Sequence, residues 1–358
     1  MKKRLDRKGE SSEAASKDRR EKSMTYLITG VGGQLGHDLM NELAKRGLEA
    51  VGTDILPEES YRKRLAELGE NPGRDRYIQV DITNEEDVMQ AFSKIQPDFL
   101  IHCAAWTAVD AAEEEENRAT VYAVNVTGTG NLAKACRKTG IPMIYISTDY
   151  VFHGQGEEPW QPDDRNYAPL NYYGKTKLQG EEQVSSLLEK YFIVRIAWVF
   201  GRNGKNFIRT MLKLAENHDH LRVVCDQIGT PTYTYDLARL LADMSLTDKY
   251  GYYHATNEGG YISWYDFTRE IFRQAAEKQI PALSGISENG QKTVPAYEKV
   301  TVDPVTTAEY GLSKAARPFN SRLDKKKLSD AGFEPLPDWR DALSRYLDAL
   351  KETEERKS

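Results

Sequence analysis

In the stretch Asn171-Tyr172-Tyr173-Gly174-Lys175-Thr176-Lys177, one tyrosine and one lysine stand four residues apart: Tyr173 and Lys177. On a helix this spacing puts both side chains on one face, with Cβ atoms about 6 Å apart. Tyr172 lies three residues before Lys175, and Gly174 leaves space beside Tyr173. A free phenol titrates near pH 10, and a neighbouring ammonium lowers it toward working pH. Such a pair can give a proton to a carbonyl oxygen as hydride arrives at its carbon. By itself the pattern also describes a surface tyrosine beside a solvated lysine, so the elements around it decide.

Those elements alternate from Met24 onward. Strands are predicted at Tyr26–Thr29, Ala50–Asp54, Tyr77–Val80, Asp98–Cys103, Ile141–Ile146 and Phe192–Ala197, with helices between them at Gln34–Arg46, Asn84–Ile95 and Arg118–Thr139. This βαβ alternation predicts a doubly wound parallel sheet with right-handed crossovers, and ligands of such sheets bind beyond the carboxyl ends of the strands. Thr148, in Ile146-Ser-Thr-Asp-Tyr-Val-Phe152, then projects into that crevice, where its hydroxyl can hold the oxygen that Tyr173 protonates.

After the first strand comes Gly30-Val-Gly32-Gly33-Gln34-Leu35-Gly36, with glycines 30, 33 and 36 in a GxxGxxG spacing. Glycines here let the chain turn tightly against a pyrophosphate seated on the amides at the helix N-terminus. Asp54 closes the second strand 24 residues after Gly30, where a carboxylate accepts from ribose hydroxyls. Its charge would repel a 2′-phosphate and argues for NADH, while Arg62 and Lys63 follow in a segment, 57–76, that could fold back over the adenosine and leave NADPH open. Asp81 either reaches the adenine or caps the helix that follows it.

Glycine turn, strand-end Thr148 and the Tyr173/Lys177 pair together resemble the extended short-chain dehydrogenase/reductases, most of which act on nucleotide sugars. Within them the chain is most similar to the dTDP-4-dehydrorhamnose reductases. The matching stretches are Ala104-Ala105-Trp106-Thr107-Ala108-Val109-Asp110 with Ala112-Glu113, Ser147–Gly154, Asn171–Glu181, Arg195–Gly201, Gly204–Phe207, Asp226–Tyr233, and Arg317-Pro318 with Ser321 and Leu323. They run in order from residue 25 to about 350.

The resemblance implies a Rossmann-type α/β fold with a smaller C-terminal α/β substrate-binding lobe. It implies reduction of dTDP-4-dehydro-β-L-rhamnose at C4 by NADPH or NADH, in the cytoplasm, for cell-surface polysaccharide. Thr148, Tyr173 and Lys177 carry the chemistry, Lys177 also binds the nicotinamide ribose, and Asn125 supports the lysine. Cofactor contacts would come from Gly30, Gly32, Gly33, Gln34, Leu35, Gly36, Asp54, Asp81, Ile82, Ala104, Ala105, Thr107, Tyr173 and Lys177. Sugar-side contacts would come from Thr107, Val109, Thr148, Asp149, Tyr150, Tyr173, Trp198 and Asn206. Related 4,6-dehydratases carry Thr-Asp-Glu at the strand end; Tyr150 stands here instead and cannot act as the missing carboxylate base at neutral pH, which favours plain reduction. Reductases or epimerases of other nucleotide-linked 4-keto sugars use the same Tyr and Lys. A non-catalytic dinucleotide-binding subunit, such as that of methionine adenosyltransferase, would tolerate loss of the Thr, Tyr or Lys, all of which are present. Some family members hold magnesium at a dimer interface; no matching carboxylate cluster is visible, so no metal is expected, and a homodimer remains open. The segment 57–76 is longer and more charged than the family's usual link.

Composition agrees with a large globular chain: 358 residues, 39% hydrophobic and 29% charged, with no apolar run near the length a membrane span needs. The net charge of −6 argues against a nucleic-acid partner. Cys103, Cys136 and Cys225 have neither disulfide nor zinc spacing. Residues 1–23 hold nine Lys/Arg against five Asp/Glu and almost nothing apolar, and are expected to form a disordered leader with Met24 the functional start. The expected division is 24–197 for dinucleotide binding and the Thr/Tyr/Lys group, 198–352 mainly for substrate, and 353–358 as a charged tail. Glu113–Glu116 is expected to face solvent. His102 and His254 are expected to be structural. Ser263 should cap one helix, and Trp339–Leu350 should form a terminal amphipathic one.

Overall fold

The computed structural model describes residues 24–284 and 293–356; the leader 1–23 lies outside them. Chain order gives β1 (Thr25–Thr29), α1 (Gln34–Lys45), β2 (Glu49–Asp54), α2 (Glu58–Glu67), β3 (Arg76–Gln79), α3 (Glu85–Ile95) and β4 (Phe99–His102). α4 (Glu115–Tyr122) runs through a π-helical turn, Ala123–Gly128, into α5 (Thr129–Thr139). Then come β5 (Met143–Thr148), α6 (Tyr172–Leu187), β6 (Tyr191–Ile196), β7 (Val199–Phe200) and α7 (Phe207–Ala215). The C-terminal part adds β8 (His220–Val224), β9 (Ile228–Gly229), β10 (Thr232–Tyr233), α8 (Thr234–Ser245), β11 (Gly251–His254), β12 (Ile262–Ser263), α9 (Trp264–Lys278), β13 (Thr301–Val305), α10 (Thr307–Tyr310), α11 (Lys326–Asp330) and α12 (Trp339–Glu355).

Seven strands form one sheet in the order β11-β6-β5-β4-β1-β2-β3, and every pair in it is parallel. Their apolar runs are buried on both faces because helices cover both, the pattern of a doubly wound sheet. The chain reverses its direction of winding between β1 and β4, and the crevice at that switch point is where such sheets take ligands.

The division at residue 197 is crossed by the chain itself. β11 supplies the seventh strand, and Leu237, Ala238, Leu240 and Leu241 of α8 share one core with Leu39, Met40 and Leu43 of α1. A second core, built on Phe200, Phe267, Trp339, Tyr346 and Leu347, belongs to the C-terminal lobe. Ser263 caps α9 in a capping box with Asp266, as expected. The tail begins later than expected: α12 continues to Glu355 and buries Thr353 and Glu354. Between β2 and β3 the long link folds into α2, fixed by the buried Tyr61, which stacks on Tyr77 at 4.4 Å and donates to Asp75 at 2.6 Å. No helix of the described residues is long and apolar enough to cross a membrane.

Candidate active site

A cleft of about 1080 Å³ runs along the carboxyl ends of the strands. At one end lies the turn between β1 and α1. Gly30 has φ +72°, and a Cβ there would stand 2.6 Å from the backbone nitrogen of Ala104, so only glycine lets this turn close against the loop after β4. Gly32, Gly33, Gln34, Leu35 and Gly36 line the same end, with Ala104 and Ala105 opposite and Asp54, Asp81 and Ile82 along the wall. The side chain of Asp54 accepts the Gly32 N–H at 2.9 Å and the Leu56 N–H at 3.3 Å.

At the other end β5 delivers Thr148 and α6 delivers Tyr173 and Lys177. α6 starts there because Asn171 accepts the Gly174 N–H at 2.8 Å while Glu113 accepts the Tyr172 N–H at 2.7 Å. A side chain at Gly174 would strike the carbonyl of Tyr150, so the space beside Tyr173 admits the backbone after β5. Thr148 donates to Asp149 at 2.9 Å and accepts the Tyr150 N–H at 3.2 Å, with its hydroxyl beside the Tyr173 phenol. Tyr150 meets Tyr173 edge-on, ring centroids 5.6 Å apart. Tyr172 and Lys175 do not line the cleft.

The electrostatics differ from the expectation of a phenol lowered by its lysine. Burial pushes the Tyr173 hydroxyl above its ordinary value, and Asp149 and Tyr150 add to this against the Thr148 hydrogen bond. Lys177 is buried, donates to the Ile146 carbonyl at 2.7 Å, and sits over the Tyr145 ring at 4.1 Å. Burial draws its ammonium down to about 7. Desolvation therefore governs both groups: the phenol is held protonated, and the lysine's charge is costly although Glu181 offsets part of that cost. Burial also pushes Asp149 up to about 6, opposed by the neighbouring Ser321 and Thr148 hydroxyls, of which Thr148 donates to its Oδ1 at 2.9 Å. Its Oδ2 has no partner among the described residues.

A family model, the RmlD substrate binding domain, matches residues 24–352. A dTDP-4-dehydrorhamnose reductase of Aggregatibacter actinomycetemcomitans is 38% identical over 325 residues, 88% of this chain and 96% of that protein. The chain belongs to the dTDP-4-dehydrorhamnose reductase family. The spore coat polysaccharide biosynthesis protein SpsK of Bacillus subtilis is 36% identical, over 90% of this chain and 96% of SpsK. The crystal structure of a dTDP-4-dehydrorhamnose reductase from Bacillus anthracis, in complex with NADP, superimposes with a TM-score of 0.74 at 35% identity, covering 91% of this chain and 99% of that one.

Measured against the residues expected of a dTDP-4-dehydrorhamnose reductase, the cleft is lined by the whole proposed cofactor set and by Thr107, Val109, Asp149, Tyr150 and Trp198. Trp198, in the left-handed region at φ 50°, stacks on Trp264 with centroids 3.7 Å apart and presents its remaining surface to the cleft. Asn125 and Asn206 are not brought to it. Asn125 sits in the π-helical turn, accepts the Trp106 N–H at 2.8 Å and donates to Thr176 at 3.0 Å, which clips the loop after β4 to α6. Asn206 caps α7 and donates to Gln34, Gly201 and Tyr346. Asp81 does not cap α3; Asn84 does, and Asp81 binds Thr83 instead. Of the acidic run, Glu113 caps α6 and Glu114 pairs with Lys314, while Glu115 and Glu116 are exposed as expected, Glu115 pairing with Arg118 at 2.8 Å. His102 is buried between Thr29 at 2.7 Å and Thr129 at 3.1 Å.

Sequence reasoning missed the residues that the C-terminal lobe and the long link bring in. Arg317 donates to Tyr150 at 3.2 Å and to Asp110 at 2.6 Å. Arg202, Asn203, Lys205 and Arg209 line the cleft beside the glycine turn, and Asn203 donates to the carbonyls of Gly32 at 3.0 Å and Gly33 at 3.2 Å. Arg64, rather than Arg62 or Lys63, is the cation that α2 turns to the cleft.

Proposed function

We propose that this chain reduces the C4 carbonyl of dTDP-4-dehydro-β-L-rhamnose to dTDP-L-rhamnose at the expense of NADPH or NADH. The observation that carries the reading is that Thr148, Tyr173 and Lys177 line one cleft together with the glycine turn, in a chain of this family. Bound there, the reduced nicotinamide supplies hydride.

The glycine turn and the N-terminus of α1 offer backbone amides to a pyrophosphate. Thr148 holds the substrate carbonyl oxygen, and Tyr173, kept protonated by its burial, gives that oxygen a proton as negative charge develops on it. The phenolate left behind is a further negative charge on the face of α6 that carries Lys177, whose ammonium is held down by burial and supported by Glu181. Tyr150 and Trp198 close the sugar side with aromatic faces.

The test is a panel of enzymatically prepared 4-keto sugars, dTDP- and UDP-linked, incubated with the protein and reduced cofactor, with products identified by NMR. Turnover confined to the dTDP-linked 6-deoxy-4-keto sugar is expected. Turnover of a different nucleotide sugar, or epimerised starting material, would overturn the substrate assignment.

A further inference from the structure

Asp54 at the end of β2 argues for NADH from sequence, yet the fold puts a cation beside it that sequence reading did not single out. The residues between β2 and β3 fold as α2, and the helix is tied to the sheet on its inner face. Tyr61 and Leu65 are buried, and Tyr77 hydrogen-bonds the carbonyls of Asp54 and Leu56 at the start of the link. Arg62 is spent on Glu58 and on the carbonyls of Pro72 and Asp75. Arg64 points the other way. Its guanidinium lies at the rim of the cleft and donates to the carbonyl of Gly32 at 2.7 Å, the residue whose N–H is held by Asp54.

The two side chains thus bracket one residue of the glycine turn, Gly32, but their remaining capacities differ. Both carboxylate oxygens of Asp54 already accept backbone N–H groups. Arg64 has no hydrogen-bond partner but Gly32 among the described residues, which leaves most of a planar fork of five donors directed at the cleft. Such a fork matches a phosphate, and a phosphate next to the end of the second strand is what distinguishes NADPH from NADH.

We propose that Arg64 selects NADPH over NADH by pairing with the 2′-phosphate of the adenosine ribose, so that α2 acts as a cofactor-selectivity element. This rests on the cleft being the dinucleotide site and is independent of which keto sugar is reduced.

Titration of the purified full-length chain with NADPH and with NADH, without sugar, followed by cofactor fluorescence or calorimetry, tests it. The wild type should bind NADPH more tightly than NADH by about tenfold, and Arg64→Ala should weaken NADPH by about the same factor while leaving NADH within about twofold. Arg64→Lys should retain part of the preference, and Arg64→Glu should invert it. The NADPH affinity of the wild type should also fall more steeply with salt than its NADH affinity, a difference that Arg64→Ala removes. Equal losses for both cofactors in Arg64→Ala would show that the arginine merely braces Gly32, and unchanged affinities would show that it does nothing at the site; either overturns the proposal. So would a wild type that prefers NADH. A wild type that binds neither cofactor would overturn the dinucleotide reading itself.

Discussion

The ammonium nitrogen of Lys177 lies 2.7 Å from the carbonyl oxygen of Ile146, which ties the Tyr173/Lys177 face of α6 to the end of β5. The lysine is thus held by the sheet, and burial draws its pKa down to about 7. Lys177→Met should lower turnover by about a hundredfold or more, the usual weight of a positioned acid–base group. Lys175→Met, on the exposed side of the same helix, should change it less than about twofold. Steady-state rates of the two variants decide this, and similar losses would contradict the assignment.

Asp149 is a buried carboxyl whose ordinary value of 3.8 is raised to about 6. The folded protein therefore binds more protons than the unfolded chain between about pH 4 and 6, and stability falls as pH rises through that window. The penalty is fully present above about 6. Asp149→Asn should be more stable than wild type at pH 7.5 by about 1–3 kcal/mol, with the margin vanishing near pH 4. Urea midpoints at the two pH values measure it. A margin that does not change with pH would show that the carboxyl is not the cause.

Arg195 and Glu181 form a fully buried pair, Nε to Oε1 at 2.8 Å and Nη2 to Oε2 at 2.8 Å, joining β6 to α6 beneath the site. Glu181→Ala leaves the guanidinium buried with its carboxylate partner gone and should cost about 3–5 kcal/mol. Glu181→Gln, which keeps one acceptor, should cost less. Denaturant unfolding at neutral pH gives both numbers, and a loss below about 1 kcal/mol for the alanine variant would sink the prediction.

Arg317 reaches from the C-terminal lobe to Asp110 and to Tyr150, which lines the cleft beside Tyr173. Arg317→Ala should raise KM for the nucleotide sugar by about tenfold and leave cofactor Kd unchanged, as loss of one charged hydrogen-bonding anchor implies. A comparable change in cofactor Kd would place its effect elsewhere.

The parallel sheet was readable because each strand is a short β-branched run bounded by turns, and its ends were placed within two residues at β1 to β6. The Tyr173/Lys177 pair and the glycine turn were readable because local spacing carries them. What escaped depends on distance along the chain. Arg317 meets Asp110 across 207 residues, Asn203 meets Gly32 across 171, and Ser321 reaches Asp149 from the far end of the lobe. No local period announces these contacts. The π-helical turn at Asn125 escaped for a different reason: the pattern from 118 to 139 is helical throughout, and the turn's Asn125 is engaged by Trp106 and Thr176, both outside that segment. For Arg64 a signal was present. Pro57 followed by Glu58 and Glu59 is a helix start, and on the helix it opens Arg64 and Leu68 share a face, one turn apart.

The central claim is that Tyr173 is the proton donor in a nicotinamide-dependent carbonyl reduction. The most direct measurement follows loss of the reduced cofactor's absorbance on adding dTDP-4-dehydro-L-rhamnose to wild type, Tyr172→Phe and Tyr173→Phe, with cofactor Kd determined for each. The expected result is full cofactor binding by all three, near wild-type turnover for Tyr172→Phe, and a loss of about two to four orders of magnitude for Tyr173→Phe. Equal turnover by the two phenylalanine variants would contradict it.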